Sequence, residues 1–195
     1  MNPQLTAPKP LILNLDRTRS RLKEIFWVAL GSLVLACSAR FSLPLGFTPV
    51  PISLQTLAVL LVASSLGSMR GTLAVGMYLL EGGFGLPVFT HGSGFAYLLG
   101  PTGGYLLGFL PAAFIIGKCA DLGKDRSVWS ALPWFLLGHS VIFFFGLSHL
   151  STFVGWEKAI PMGLIPFLPG AVIKTAIASI ALPSLWKLSD RVGLK

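Results

Sequence analysis

The sequence predicts an all-α integral membrane protein with six transmembrane helices and both termini in the cytoplasm. Three observations carry this. Only 11% of the 195 residues are charged, against about 25% in soluble domains. Apolar residues make up 53% and the mean hydropathy is +0.76, so a monomeric soluble globule is excluded: its surface could not be covered. The net charge is +8, yet the basic residues punctuate apolar runs instead of forming the patch of a nucleic-acid binder, so no nucleic acid is expected.

Residues 1–24, with Pro3, Pro8, Pro10 and alternating charges, read as a polar cytoplasmic arm, and residues 25–195 as one six-helix membrane domain. The first apolar run is Ile25–Ala39, closed by Arg40. Phe41–Pro51 follows as a loop, because Pro44, Pro49 and Pro51 hold the backbone extended. Ile52–Leu66 is the second run, and Arg70 separates it from the third, Gly71–Leu80, which ends at Glu81. Gly82–Pro101 is apolar but too rich in glycine for a continuous helix. Irregular backbone at membrane depth needs protein or a cavity around it. Gly103–Cys119 is the fourth run, Val128–Leu147 the fifth and Gly170–Trp186 the sixth, with a mixed loop over 148–169.

Basic residues in the loops test the orientation. Lys9, Arg17, Arg19, Arg21, Lys23, Arg70, Lys118, Lys124, Arg126, Lys187, Arg191 and Lys195 fall on the side of the termini, while only Arg40 and Lys158 fall opposite. That bias places the protein in the cell membrane as a multi-pass chain with its termini inside. Cys37 and Cys119 show neither disulfide nor metal spacing and read as small buried residues. A lipoprotein-like cleavage site before Cys37 is the rival to a first span, but the polar stretch ahead of it is long for a signal peptide.

No phosphate loop, HExxH or cysteine cluster is present, so no metal or cofactor is expected and the chain cannot hydrolyse ATP through a P-loop. An intramembrane hydrolase would have to use His139 beside Ser140, or His149. Adjacent helix residues do not face each other, so hydrogen-bonded helix histidines are the simpler reading. The other polar groups converge on one side: Gln55 opening the second span, Tyr78 and Glu81 ending the third, His91, Tyr97 and Thr102 in the glycine-rich segment, Tyr105 opening the fourth, and Lys174 in the sixth. Ionisable groups at this depth usually face a cavity or a partner. Lys174 could instead snorkel, Glu81 could sit at the interface and the tyrosines could form an aromatic belt. Together they describe a polar pocket with aromatic walls for a compact, partly apolar solute.

The segments TPVPISLQTLAVLL (Thr48–Leu61), YLLEGGFGLPVF (Tyr78–Phe89), GPTGGYLLGF (Gly100–Phe109) and GWEKAIPMGLIPFLPGAVIK (Gly155–Lys174) resemble BioY, the biotin-binding S component of energy-coupling factor (ECF) transporters. The resemblance runs from about Ile25 to Trp186. It implies six helices, a biotin site near the outer face, a lid made by the loop between the first two spans, and no enzymatic activity. It also implies partners in the bilayer and beyond it: a transmembrane coupling subunit and two ABC-type ATPases. Of the site residues, Gln55 can donate and accept, Lys174 can only donate, and Phe89, Tyr97 and Tyr105 can pack the ligand rings. A small-xxx-small pair, Ser32 and Ala36, matches the face that such proteins turn to the coupling subunit; packing within the bundle explains it equally. The chain departs from the family pattern at Ala171, where an acidic residue is usual, and the expectation is that Glu81 supplies the missing acceptor or the counter-charge to Lys174. The alternative is that water or Gln55 fills the role and Glu81 caps a helix end at the interface. An S component for another vitamin is the nearest alternative.

Overall fold

The computed structural model describes residues 10–12 and 21–191. Helix α1 (Arg21–Arg40) leads into a two-stranded antiparallel hairpin, β1 (Ser42–Leu43) pairing with β2 (Ile52–Ser53). Helices α2 (Gln55–Leu66) and α3 (Ser68–Gly83) follow, then the short α4 (Phe95–Leu98), α5 (Gly103–Asp121), a 3-10 turn at Lys124–Arg126 and α6 (Val128–Val154). The chain ends through α7 (Trp156–Gly163), a second 3-10 turn at Ile165–Phe167 and α8 (Leu168–Arg191).

Helix α5 is the hub of the bundle and packs on α2, α3 and α6. Its buried face includes Leu106, Phe109, Ala112, Ala113 and Ile116. Together with Val59, Leu60, Val75, Phe135 and Ile142 from its neighbours, these residues form the core. Ala and Gly recur along the contacts because helices in lipid gain by close packing rather than by burying apolar surface from water.

Four segments are long and apolar enough to cross a membrane: α1, α5, α6 and the run Trp156–Ser189, which takes in α7 and most of α8. Together they make this a multi-pass membrane protein. Helix α2 has 12 residues and rises only about 18 Å, short of the roughly 30 Å hydrocarbon core. Helix α3 has 16 residues and contains Arg70.

Several expected boundaries move. The second helix begins at Gln55 because Ile52 and Ser53 are held in the hairpin. The break before the third helix falls at Gly67, not at Arg70. Gly67 adopts φ +83°, a conformation open mainly to glycine, and α3 then packs against α2. A Cβ on Gly71 would stand 2.8 Å from Ala63 Cα, so only glycine permits that approach. Asp121 at the end of α5 accepts from Ser68 Oγ at 2.5 Å and from Ser68 N–H at 3.3 Å, placing a carboxylate at the positive N-terminus of α3. Arg70 pairs with Glu24 of α1 at 2.5 Å. Much of the expected mixed loop over 148–169 is helical, in the end of α6 and in α7.

The expected arm, residues 1–24, lies mostly outside the described residues. Of the part described, Pro10 and Leu11 are buried, Ile12 packs on the cluster of Val62, Leu66 and Ala74, and Arg21–Glu24 already belong to α1. Cys119 is buried as expected, whereas Cys37 is exposed on α1.

Candidate functional site

Four helices and the hairpin meet around one cavity, with about 650 Å³ of space including its open mouth. The hairpin supplies Val50–Ser53, α2 supplies Gln55 and Thr56, and α5 supplies Tyr105, Leu106 and Phe109. His139, Ile142 and Phe143 come from α6, and Ala171 and Lys174 from α8. The sequence explains why these parts meet. The prolines before Ile52 keep the chain extended until it pairs as β2, so Ser53 and Gln55 arrive at the cavity from consecutive elements. The glycine-rich segment cannot run as one helix: Gly85 and Gly94 take φ +99° and +86°, and the folded-back chain delivers Thr90 and Tyr97 to the same wall.

The polar groups form two sets. Around Gln55, which is buried, Nε2 donates to Tyr78 OH at 2.6 Å, while the hydroxyls of Ser53 and Thr90 each donate to Oε1 at 3.0 Å. Both acceptor sites of the amide oxygen are thus used, and one N–H remains. Around Lys174, Nζ donates to Ser53 O at 2.5 Å and to Thr56 Oγ1 at 3.1 Å. An ammonium has three N–H groups, so again one remains. The rest of the wall is apolar and aromatic: Tyr105 and Phe167 lie 6.3 Å apart between ring centres, and the Tyr105 hydroxyl is taken up by Gly163 O at 2.8 Å. Among the described residues, no Asp or Glu lines the cavity.

Of the residues singled out from the sequence, the structure brings Gln55, Tyr97, Tyr105 and Lys174 to the cavity surface. Tyr78 and Phe89 stand one layer behind, both buried. Tyr78 positions Gln55, and Phe89 stacks on Tyr97 with ring centres 5.1 Å apart. His91 is exposed and does not line the cavity. Glu81 lies elsewhere, in the groove between α1 and α3 with Val28, Leu73 and Met77, where it accepts from Ser32 Oγ at 2.6 Å. It therefore does not stand beside Ala171. Ser32 is fully buried and Ala36 is half-buried against the core. Snorkelling does not describe Lys174, whose ammonium is bonded to Ser53 and Thr56 across the cavity wall.

Sequence reasoning passed over Ser53, Thr56 and Thr90, and read His139 only as a hydrogen-bonded helix histidine. Single hydroxyls beside apolar residues carry no periodic signal. The clue for His139 lay in Thr175, 36 residues away, whose Oγ1 is 3.0 Å from His139 Nδ1. His149, the other histidine of α6, meets the Gly100 carbonyl at 3.1 Å.

Fold and site together define a multi-pass membrane protein with a solute-sized cavity, polar at two points and aromatic between them. The chain belongs to the BioY family, whose pattern matches residues 12–191. It is 38% identical over 169 residues to the biotin transporter BioY of Thermotoga maritima, covering 86% of this chain and 98% of the relative. It is 36% identical over 167 residues to the biotin transporter BioY2 of Lactococcus lactis subsp. cremoris, covering 83% of this chain and 88% of that one. Among solved structures it superposes on the S-component for biotin from an ECF-type ABC transporter, with a TM-score of 0.77 and 30% identity over 86% of this chain and 92% of that one. The family is one of transporter components, not an enzyme class.

Proposed function

We propose that this chain is the biotin-binding S component of an ECF-type uptake transporter and that the cavity is its biotin site. One observation carries the assignment of the site. Lys174 presents a cation to a cavity that, among the described residues, no carboxylate lines, and an uncompensated charge in such a place is costly. A ligand that brings a carboxylate completes the site. Biotin does so: its carboxylate takes the remaining N–H of Lys174, its ureido carbonyl takes the remaining N–H of Gln55, and its sulfur ring packs among Tyr97, Tyr105, Phe109 and Phe167. Val50 and Pro51 of the hairpin loop form the lid over this end, and the prolines leave that loop little entropy to lose on closing.

Six spans with cytoplasmic termini are part of this reading, α2 and α3 being short spans held by their contacts with α5. So are a coupling subunit and two ABC-type ATPases as the source of energy, since the chain carries no nucleotide motif. Produced in cells without a coupling factor, the chain should bind biotin without concentrating it; strong accumulation there would overturn the partner assignment. Calorimetric titration of the purified chain tests the ligand. Biotin should bind and its methyl ester, which lacks the negative charge, should bind at least tenfold more weakly, on the order of 1.5 kcal/mol. Equal affinities would remove Lys174 from the carboxylate, and absent binding would remove biotin.

A further inference from the structure

The cavity holds a buried polar atom that the reading above leaves unused. His139 on α6 is only 3% exposed and lines the cavity. Its Nδ1 faces Thr175 Oγ1 at 3.0 Å, and among the described residues Nε2 has no hydrogen-bond partner. Buried polar atoms in folded proteins nearly always have one, and each exception calls for an explanation. Resting on the biotin reading, we propose that His139 is a specificity-determining residue whose Nε2 accepts a hydrogen bond from a ureido N–H of the bound ligand, with Thr175 holding the ring in place.

The acceptor inventory of the cavity points to this atom. A ureido ring brings two N–H donors. Gln55 Oε1 already accepts twice, from Ser53 and Thr90. Ser53 O and Thr56 Oγ1 both accept from Lys174, and among the described residues no carboxylate lines the cavity. Hydroxyls of Thr90, Tyr97, Thr102 and Tyr105 are also on the wall, but of the lining groups only His139 Nε2 is a buried side-chain atom without a partner among the described residues. Glu81 is in the α1–α3 groove, bonded to Ser32. On α8, Ala171 lines the cavity with a methyl group and offers no acceptor. Thr175 stands one turn further along the same helix face, and the imidazole it holds belongs to the neighbouring wall. The contact admits either tautomer; in the one the proposal requires, Nδ1–H donates to Thr175 Oγ1 and the neutral ring keeps a lone pair on Nε2. An acceptor built on α6 in this way replaces one that α8 does not provide.

The test uses the purified full chain and compares wild type, His139→Asn and His139→Gln by calorimetric titration with biotin. Asparagine keeps a polar atom near the Nδ1 position for Thr175 and leaves nothing at Nε2, whereas glutamine reaches the Nε2 position. His139→Asn should lower biotin affinity about tenfold, and His139→Gln should recover most of the loss. Wild-type affinity in His139→Asn, or equal losses in both variants, would overturn the assignment of His139 alone. A wild-type chain that does not bind biotin would overturn the parent reading instead. Should His139→Asn fail to fold, nitrogen NMR of the ¹⁵N-histidine-labelled wild type decides. His139 Nε2 should carry no proton before biotin is added and should shift on saturation; a protonated or unmoved Nε2 would overturn the proposal.

Discussion

The cavity and the groove between α1 and α3 each hold an ionisable side chain at helix depth, Lys174 in one and Glu81 in the other. Sequence reasoning pairs the two as charge and counter-charge. The structure separates them and treats them differently. Glu81 finds a donor inside the chain, at Ser32, and shares its groove with the charged Arg21, Glu24 and Arg70 as well as with Leu73, Met77 and Phe84. Lys174 and Gln55 are held in place by the chain yet each keeps an N–H to spare, and His139 keeps a bare nitrogen. On the proposed reading, the open valences gathered at the cavity serve the ligand, because the orientation cost of groups already held by the fold is met before binding.

The comparison can be broken by substitution on either side. The largest effect should come from Lys174→Met, which removes a charged donor: biotin affinity should fall by about 1.5–3 kcal/mol, roughly 10- to 150-fold, while the protein still inserts and purifies. Calorimetric titration checks it, and unchanged affinity would move the ligand elsewhere. Tyr78→Phe should act more weakly, by about 1 kcal/mol, since it loosens Gln55 without touching the ligand. Its loss should vanish in a Gln55→Leu background, a non-additivity that a double-mutant cycle reads. Glu81→Gln should leave biotin affinity unchanged and lower thermal stability by no more than about 1 kcal/mol, because only the bond from Ser32 changes. A marked loss of affinity there would reinstate Glu81 as part of the site.

The smallest effect concerns the far end of the bundle. Asp125 is buried in the turn between α5 and α6 and accepts from Trp186 Nε1 at 2.7 Å. Burial pushes its carboxyl above the usual carboxylate range, against the lowering pull of Trp186 and Arg126. A carboxyl raised in the folded state binds its proton more tightly there than when unfolded. Its contribution to stability is therefore full below the ordinary carboxylate pKa and is lost as pH rises toward the raised value. Thermal unfolding between pH 4 and pH 7 should show a decline in the wild type that is shallower in Asp125→Asn; equal slopes would remove Asp125 as its source.

The long apolar runs made α1, α5, α6 and α8 legible from sequence, because a span must satisfy its backbone within itself and so declares itself in composition. Helices α2 and α3 were legible only in outline. Their limits depend on a strand pairing across 9 residues of sequence, Leu43 with Ile52, and on one glycine, and neither leaves an apolar signature. Within the site, Lys174 was readable as the single basic residue inside an apolar run, and Gln55 as a polar group at a helix start. Glu81 was misplaced by the same reasoning, since sequence fixes depth along a helix but not which neighbour the face meets. Ser32 and Ala36 show the complementary case: a small-xxx-small pair marks close packing without saying whether the partner is another helix of the same chain. His139 needed Thr175 on a different helix before its second nitrogen could be seen to lack a partner.

The central claim is that biotin sits in the cavity between α2, α5, α6 and α8. An experimental structure of the protein saturated with biotin tests it most directly. The account requires ligand density bounded by Gln55, Tyr97 and Tyr105, with the carboxylate within hydrogen-bonding distance of Lys174 Nζ. Density in the α1–α3 groove beside Glu81, or an empty cavity at saturating biotin, would contradict it.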